Sequence, residues 1–397
     1  MSPGRTFKSF FIGVGLFFIV LFARSYSIEV LGEYTLALSL SIPVLLFTLF
    51  DLNGKILAGK ENNSFLFVLI LPLLITFILT CLYFIFPNEK DIVLTITSVF
   101  VLKFSELVSE ARHTYLRRDI NYKEYFFRIL FRYLVVYMPA IALIVLNKHH
   151  LVVLFASAFI SVLIMFYNCI ELKKYGWLYQ FKYIEFIQYL QKNFSLGVAS
   201  MVKSMQTYSL RYYIVMFHGL EVLGYMAPAF YALTVFANLS TIIDGYATPK
   251  LIRRINNNKD SLNIKRYRYH ILSLAIFLIA MTLSSYYFSD YYYNLFFPNR
   301  ANDYSSIIVI LSFGLLFYIM RGMLRVVSYR FGFISKQFKI QVSSLIIMLI
   351  LFFALDSIYN LNGIFMAFVL ANIYTVVIYI VIIRHKLLKL FNIGRKI

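Results

Sequence analysis

Long apolar runs recur along this chain, and each is long enough to cross a lipid bilayer as a helix. A run of about 18 or more residues with few charges predicts a transmembrane helix. We place about twelve such helices, at residues 9–29, 34–51, 64–86, 91–110, 127–147, 151–171, 194–217, 222–246, 269–289, 305–324, 339–357 and 362–383. With 61% hydrophobic residues and a mean hydropathy of +0.76, the chain is too apolar for a water-soluble core. The sequence therefore predicts a polytopic membrane protein.

The basic residues are distributed by loop rather than gathered on one surface. The formal net charge of +20 would suggest nucleic-acid binding in a soluble protein. Nearly all loop lysines and arginines, however, fall on the side of the membrane that holds the N-terminus, and the opposite side has only Lys90, Lys148 and Arg300. By the positive-inside rule, both termini face the cytoplasm. This pattern reports topology and predicts no nucleic-acid partner.

The sequence contains no arrangement that is typical of a catalytic or metal site. The outer loops are short, the longest running from about residue 290 to 304, and they leave no room for a catalytic domain. Cys81 and Cys169 fall inside apolar runs without metal-ligand spacing. The segment from Gly54 to Lys60 has phosphate-loop spacing, but Glu61 stands where Ser or Thr is needed and no strand precedes it. We therefore expect neither an enzyme nor a bound cofactor.

Three short segments of the first half recur in the second half, in the same order. Glu29-Val-Leu-Gly32 is identical to Glu221-Val-Leu-Gly224, Lys8 to Val14 resembles Lys192 to Val198, and Arg112, Arg117 and Lys123 have the spacing of Arg325, Arg330 and Lys336. Their order predicts an internal duplication in which each half starts on the same side of the membrane. Such parallel repeats are related by an axis along the membrane normal, with the substrate site between them.

The predicted fold class is an all-α polytopic membrane protein, with about 12 transmembrane helices in two pseudo-two-fold related six-helix bundles around a central cavity. The predicted domains are an N-terminal six-helix lobe at residues 1–171, a cytoplasmic linker at 172–193, and a C-terminal six-helix lobe at 194–397. The linker is rich in lysines and aromatic residues. It fits either a short helix lying in the membrane interface or a plain basic loop.

Several basic residues lie within the predicted spans, although a charge at the bilayer centre costs about 2.5–3.5 kcal/mol. Arg24 is in the first predicted helix, and Lys203 and Arg211 are in the seventh, its repeat partner. If these helices face each other across the axis, the three residues line a cationic cavity that suits a phosphate-bearing anion. The alternative is that their side chains snorkel to the lipid headgroups.

Other charged residues in the spans allow more than one interpretation. Lys103, Glu106 and Glu110 share a helical face, which fits either a self-neutralising ion pair or a cation or proton site. Glu106 and Asp244 are the candidates for coupling transport to a H+ or Na+ gradient, and the need for such a gradient stays open. Arg321 lies close to the inner surface and is interpreted as a headgroup anchor.

The first repeated turn also carries a family resemblance. Residues 21–34, followed by Ala37-Leu38-Ser39, resemble the first loop of the multidrug/oligosaccharidyl-lipid/polysaccharide exporter superfamily, in which a Leu-Gly and a following Tyr-Gly open the second helix; Thr35 here replaces that second glycine. Residues 219–225 with Pro249, and residues 362–367, are similar to the second half of the same superfamily. Within it, the chain most resembles the O-antigen and capsule-unit flippases (Wzx type).

The resemblance implies a function. In such flippases, an undecaprenyl-diphosphate-linked oligosaccharide moves by alternating access from the cytoplasmic to the periplasmic leaflet of the bacterial inner membrane. This step belongs to the biosynthesis of capsule or of O-antigen, which is part of lipopolysaccharide. It further implies that Arg24, Lys203 and Arg211 attract the diphosphate or acidic sugars while the lipid tail stays in the bilayer. Polysaccharide polymerase machinery is then an expected partner.

Three other functions stay open. A cation-coupled multidrug or metabolite antiporter of the same fold would need an essential carboxylate for coupling. A flippase for a lipid-linked peptidoglycan precursor would be essential for growth, and such proteins often have extra helices. A membrane enzyme, such as a polymerase or acyltransferase, would need catalytic residues at the outer face, where the loops are short.

Overall fold

A computed structural model describes residues 17–49, 65–85, 89–118, 122–172, 183–234, 264–297, 304–330 and 334–393, and these residues contain helices and turns but no strand. The helices are α1 (residues 17–25), α2 (Ile28–Thr48), α3 (Phe65–Ile85), α4 (Lys90–Arg118), α5 (Tyr122–Val145), α6 (His150–Leu172), α7 (Tyr183–His218), α8 (Leu220–Tyr225), α9 (Ile264–Phe296), α10 (Ser305–Arg330), α11 (Ile334–Tyr359) and α12 (Leu361–Ile393). After a turn at Met226, residues 227–234 are again helical.

Several of these helices have the length and composition of membrane spans. Within the described ranges, seven helices are long and apolar enough to cross a bilayer, and they are α2, α4, α5, α6, α10, α11 and α12. Their outward surfaces carry large apolar side chains, among them Phe159 of α6 and Ile350 of α11. Since such surfaces need lipid rather than water as solvent, the chain is a membrane protein.

Contacts divide the chain into unit 1 (Met1–Ala227) and unit 2 (Pro228–Ile397). In unit 1, α4 packs against α2 and α6, while α2 also packs against α7 and α8. The core between α2, α4 and α6 consists of Leu45, Leu49, Phe100, Phe104, Val108, Tyr115 and Met165. This apolar core fixes α4 at the centre of unit 1, so side chains on the other faces of α4 have defined neighbours.

In unit 2, α12 packs against both α10 and α11, and α9 packs against α10. Ile340 of α11 and Tyr379 of α12 form a buried contact. Phe230 packs against Phe365, with ring centroids 5.9 Å apart. The helix α12 is therefore the centre of unit 2, as α4 is of unit 1.

The turn between α1 and α2 corrects one predicted boundary. The first span was expected to continue to residue 29, but α1 ends at residue 25 and α2 begins at Ile28. Ser27 caps α2, since its Oγ accepts a hydrogen bond of 3.4 Å from the backbone N–H of Val30. The Tyr26 hydroxyl donates to the carbonyl oxygen of Lys148, at 2.6 Å. A hydropathy pattern does not register such a cap inside an apolar segment.

The predicted linker is partly described. Residues 183–193 are helical and continue without a break into the rest of α7, while residues 173–182 lie outside the described part of the chain. Residues 183–193 are therefore the beginning of the 36-residue helix α7, and a position of the linker in the membrane interface stays a prediction. The predicted lobes are units of sequence repetition, and the contact-based division at residue 227 does not test them.

Candidate substrate site

The five residues predicted for binding or coupling differ in how far the structure describes them. Arg24 is exposed in the last turn of α1. Lys203 lies on α7, where the structure describes its backbone alone. Asp244 lies outside the described residues. Arg211 and Glu106 have defined surroundings: Arg211 lies among uncharged polar groups, and Glu106 lies in an ion pair.

Arg211 is buried between α7 and α2. Its side chain is 5% exposed. Nη1 donates to Ser39 Oγ, at 3.4 Å, and the guanidinium lies 4.9 Å from the centroid of the Tyr208 ring. The hydroxyl of Tyr212 donates to the carbonyl oxygen of Ser39, at 2.7 Å. A guanidinium buried to this degree does not snorkel to the headgroups, so that alternative is wrong for Arg211 in this structure.

The two identical tetrapeptides of the repeat lie against each other. Gly32 is so close to α8 that an added β-carbon would overlap the carbonyl oxygen of Leu220. Gly224 is equally close to α2, and its β-carbon would overlap the carbonyl oxygen of Ile28. Because Ile28 and Leu220 each precede their copy of the tetrapeptide, the contact is reciprocal, which is the property of a two-fold relation. This geometry supports the predicted duplication.

Lys103 and Glu106 form the ion pair that their spacing predicts. Lys103 Nζ lies 2.7 Å from Glu106 Oε2, and the two side chains are 20% and 26% accessible. Both residues fall in Lys90–Leu116, one of the segments long enough to cross a membrane. The interpretation of a self-neutralising pair is therefore confirmed for these two residues. Their accessibility also means that the pair borders space that protein atoms do not fill.

Arg132 of α5 brings a second cation to this pair. Its Nη1 donates to the carbonyl oxygen of Glu106, at 3.0 Å, and its Nη2 lies 3.5 Å from Ser161 Oγ of α6. The hydroxyl of Ser105 donates to the same Ser161 oxygen, at 2.6 Å. The guanidinium thus joins α4, α5 and α6. With Lys103, it places two cations beside one carboxylate.

Two tyrosines of α5, which the sequence analysis did not single out, complete the group. The rings of Tyr133 and Tyr137 are stacked, with centroids 5.6 Å apart, and Phe18 of α1 packs against Tyr137 at 5.3 Å. A small cavity with room for about one water molecule is lined by Leu102, Glu106, Arg132, Tyr133, Val136 and Tyr137. The signal that could have found the tyrosines is their i, i+4 spacing next to Arg132. We call Lys103, Glu106, Arg132, Tyr133 and Tyr137 the α4–α5 site.

A separate charged cluster joins α4, α5 and α6 at the end predicted to face the cytoplasm. Arg128 donates to Glu124 Oε1 through Nε, at 2.9 Å, and to Glu171 Oε1 through Nη2, at 2.8 Å. Arg112 Nε lies 3.3 Å from Glu171 Oε2, and Arg112 Nη2 lies 3.4 Å from Glu124 Oε1. Two cations and two carboxylates balance each other here, so the cluster holds helices together.

Arg321 of α10 is buried in unit 2 among uncharged polar groups. Its Nη1 donates to Asn372 Oδ1, at 2.9 Å, and its Nη2 donates to Gln341 Oε1, at 3.1 Å. Gln341 Nε2 in turn donates to the hydroxyl of Tyr379, at 3.1 Å. The expectation of a headgroup anchor is therefore wrong for Arg321, because its guanidinium is held between α10, α11 and α12.

Solved structures share this helical arrangement. Lipid II flippase MurJ, in an inward closed conformation, matches with a TM-score of 0.73 and 16% sequence identity, over 99% of this chain and 91% of that one. An inward-facing MATE-family multidrug resistance transporter of the MOP superfamily matches with a TM-score of 0.61 and 14% identity, over 98% of this chain and 96% of that one. The chain has the fold of the MOP-superfamily transporters.

The likeness confirms the predicted fold class, because it extends over nearly the whole chain. The superfamily inferred from the first repeated turn is the one to which the MATE transporter belongs. Both similar proteins are named as a transporter or a flippase, which is consistent with the prediction of a protein that is not an enzyme. No protein-family model and no curated protein matches the sequence. The narrower resemblance to Wzx-type flippases stays a prediction.

Proposed function

We propose that this chain is a flippase that moves an undecaprenyl-diphosphate-linked oligosaccharide, an O-antigen or capsule unit, across the bacterial inner membrane. The observation that carries the proposal is the structural likeness to a lipid II flippase over 99% of the chain. The basic residues within the spans support it, since a diphosphate needs cationic partners. The bilayer and the lipid-linked saccharide are then the partners of the protein, and a polysaccharide polymerase is the expected next component.

The proposed diphosphate ligands are Arg24, Lys203 and Arg211. Arg24 is exposed at the end of α1 and is accessible to a ligand in this structure. Arg211 is buried against Ser39 of α2, so it becomes accessible when α7 and α2 separate. We therefore assign Arg24 to initial capture and Arg211 to a later conformation of the transport cycle. Lys203, on the same helix as Arg211, is the third proposed ligand.

The close approach of α2 and α8 within unit 1 is consistent with a conformation that is closed on one side, as alternating access requires. The reciprocal approach of Gly32 and Gly224 lies at the helix ends predicted to face the periplasm. Small residues allow two backbones to approach closely and exclude a path between them. In our proposal this contact opens when the saccharide leaves on the outer side. Both termini are placed in the cytoplasm, following the distribution of loop lysines and arginines.

Coupling to a H+ or Na+ gradient stays a prediction. At Glu106, the ammonium of Lys103 lies 2.7 Å from one carboxylate oxygen, where a bound Na+ would otherwise lie. Arg132 adds a second positive charge nearby, which further disfavours an additional cation. Glu106 is therefore a weaker candidate for coupling in the structure than it was in the sequence.

The proposal is tested by deleting the gene in its native host and complementing with wild type, Arg24→Ala or Lys148→Ala. We expect the deletion to remove surface polysaccharide from a gel and to raise the lipid-linked oligosaccharide in inverted membrane vesicles. Wild type and Lys148→Ala should restore the polymer, because Lys148 is exposed in a loop that is predicted to face outward. Arg24→Ala should lower transport at least about tenfold, as expected for losing a charge-assisted contact to phosphate.

Unchanged surface polymer in the deletion strain, with no second flippase gene present, would contradict the flippase proposal. The second candidate is a cation-coupled multidrug or metabolite antiporter, which the likeness to a MATE transporter favours. It predicts greater drug sensitivity on deletion and normal polymer. Failure to obtain the deletion without a complementing copy would instead indicate a peptidoglycan-precursor flippase.

A further inference from the structure

The α4–α5 site contains hydrogen-bonding capacity that no group of the described residues uses. Within the described chain, the Lys103 ammonium donates to Glu106 Oε2 alone, and two of its three N–H groups are left for another partner. Among the same described residues, Glu106 Oε1 accepts no hydrogen bond and is likewise left for another partner. Both side chains are partly accessible in a segment long enough to cross the membrane. Lipid tails offer no hydrogen bonds there, so water or a polar ligand must supply them.

The charge of the site limits which ligand fits. The site carries one net positive charge, because Arg132 lies beside the paired Lys103 and Glu106. Lys103 is neutralised by Glu106 at 2.7 Å, and the buried Arg132 guanidinium donates to Glu106 O and Ser161 Oγ, so neither cation is presented to a diphosphate. The net positive charge also repels an incoming cation. An uncharged group that both donates and accepts hydrogen bonds fits better, because it can bridge an ammonium and a carboxylate. Hydroxyl groups have this property.

The neighbouring side chains add an apolar surface. Tyr133 and Tyr137 are half-buried, and their stacked rings lie next to Glu106 and Arg132 around the small cavity. An aromatic ring offers a flat apolar face that packs against the C–H groups of a sugar ring, while its hydroxyl supplies a polar contact. A paired ammonium and carboxylate beside two tyrosines therefore match a pyranose, which has adjacent hydroxyls at its edge and C–H groups on its face.

We propose that Lys103, Glu106, Tyr133 and Tyr137 form a subsite for a pyranose unit of the transported saccharide. The cavity alone holds about one water molecule, so the sugar lies against the accessible edges of the ion pair, outside that cavity. Arg132 is a positioning residue, since it holds α4, α5 and α6 together through Glu106 O and Ser161 Oγ. This inference rests on the proposed flippase function and adds the recognition of sugar apart from diphosphate.

The test measures binding to purified full-length protein in lipid nanodiscs. The two probes are undecaprenyl diphosphate and the lipid-linked oligosaccharide extracted from membranes of the deletion strain. We expect wild type to bind the saccharide-bearing lipid at least about tenfold more tightly, as for hydrogen bonds to charged groups. Lys103→Gln combined with Glu106→Gln should remove this preference and leave the affinity for undecaprenyl diphosphate unchanged.

Two further variants separate recognition from folding. The charge swap Lys103→Glu with Glu106→Lys keeps an ion pair and should keep the fold and part of the preference. Tyr137→Leu removes one ring and should weaken binding of the saccharide-bearing lipid alone. Tyr286→Leu, on the exposed surface of α9, should leave the affinity for both probes unchanged. If the neutral double variant does not fold, Tyr137→Leu decides the question.

Each outcome bears on a different proposal. A folded neutral variant, or Tyr137→Leu, that keeps the full preference would overturn the sugar subsite. Equal binding of both probes by wild type would also overturn it, while the flippase proposal would survive. Binding of neither probe by folded wild type would count against the flippase function itself.

Discussion

At the scale of single residues, three basic side chains in apolar helices obtain their hydrogen bonds in three ways. Lys103 pairs with a carboxylate one turn away on the same helix. Arg211 donates to Ser39 of α2 and lies over the ring of Tyr208 on its own helix, and Arg321 donates to the side-chain amide oxygens of Asn372 and Gln341. Only the first arrangement can be predicted from sequence spacing, because the partners of both arginines include residues distant in the chain. That is why Arg321 was taken for a headgroup anchor.

The reciprocal glycine contact gives a prediction for single substitutions. Gly32→Ala and Gly224→Ala should each destabilise the protein by about 1–3 kcal/mol, the typical cost of inserting a methyl group where there is no room. The expected readout is a lower apparent Tm in detergent, of similar size for both variants. The controls are Glu29→Ala and Glu221→Ala, which place alanine one turn earlier at exposed positions. A glycine variant as stable as its control would contradict the close approach.

At the scale of helices, the apolar centres of the seven membrane-length helices in the described residues were predicted, and their polar ends were not. The helix α4 runs from Lys90 to Arg118, eight residues beyond the predicted span, and α7 begins at Tyr183, eleven residues before it. Hydropathy identifies what lies in the hydrocarbon, whereas a helix continues into water wherever caps and ion pairs allow. The α4 extension carries Arg112, which joins the charged cluster with α5 and α6.

The unequal burial of the two carboxylates in that cluster predicts unequal losses of stability when each is replaced. Glu171→Gln should reduce stability more than Glu124→Gln, because the Glu171 side chain is 17% accessible and that of Glu124 is 36% accessible. Losing Glu171 leaves Arg112, 7% accessible, without its more buried partner. Apparent Tm values of the two variants should show this order. Equal losses, or a larger loss for Glu124→Gln, would mean that the ion pairs do not determine how α4, α5 and α6 pack.

At the scale of the whole molecule, the fold class could be predicted from the sequence, whereas the identity of the proposed substrate could not. The number of apolar runs, the one-sided distribution of basic loops and the repeated tetrapeptide together predicted a fold that solved transporters share. The α4–α5 site was predicted in part, because Lys103 and Glu106 share a helical face, whereas Tyr133 and Tyr137 join them through the packing of α5 on α4. In our proposal, recognition of the sugar depends on such side-chain geometry, for which no short sequence motif exists.

Topology gives a prediction for the complete chain. Single cysteines at Asn147 and Asn360, introduced after replacing Cys81 and Cys169 with serine, should react with a membrane-impermeant maleimide in intact cells. Both asparagines lie in exposed turns on the side predicted to face outward. A cysteine at Lys123, on the opposite side, should react only after the cells are opened. Labelling of Lys123→Cys in intact cells would reverse the assigned orientation.

The contact between Gly32 and Gly224 also bears on how the two halves of this chain evolved. Gene duplication usually frees one copy to drift, because the other copy keeps the original role. Here each tetrapeptide fits against the backbone at the start of the other, so a larger side chain in either copy meets the same obstruction. The two glycine positions therefore constrain each other, and neither copy is free to drift there. Within two halves whose other sequence has largely diverged, Gly32 and Gly224 stay glycine for a steric reason.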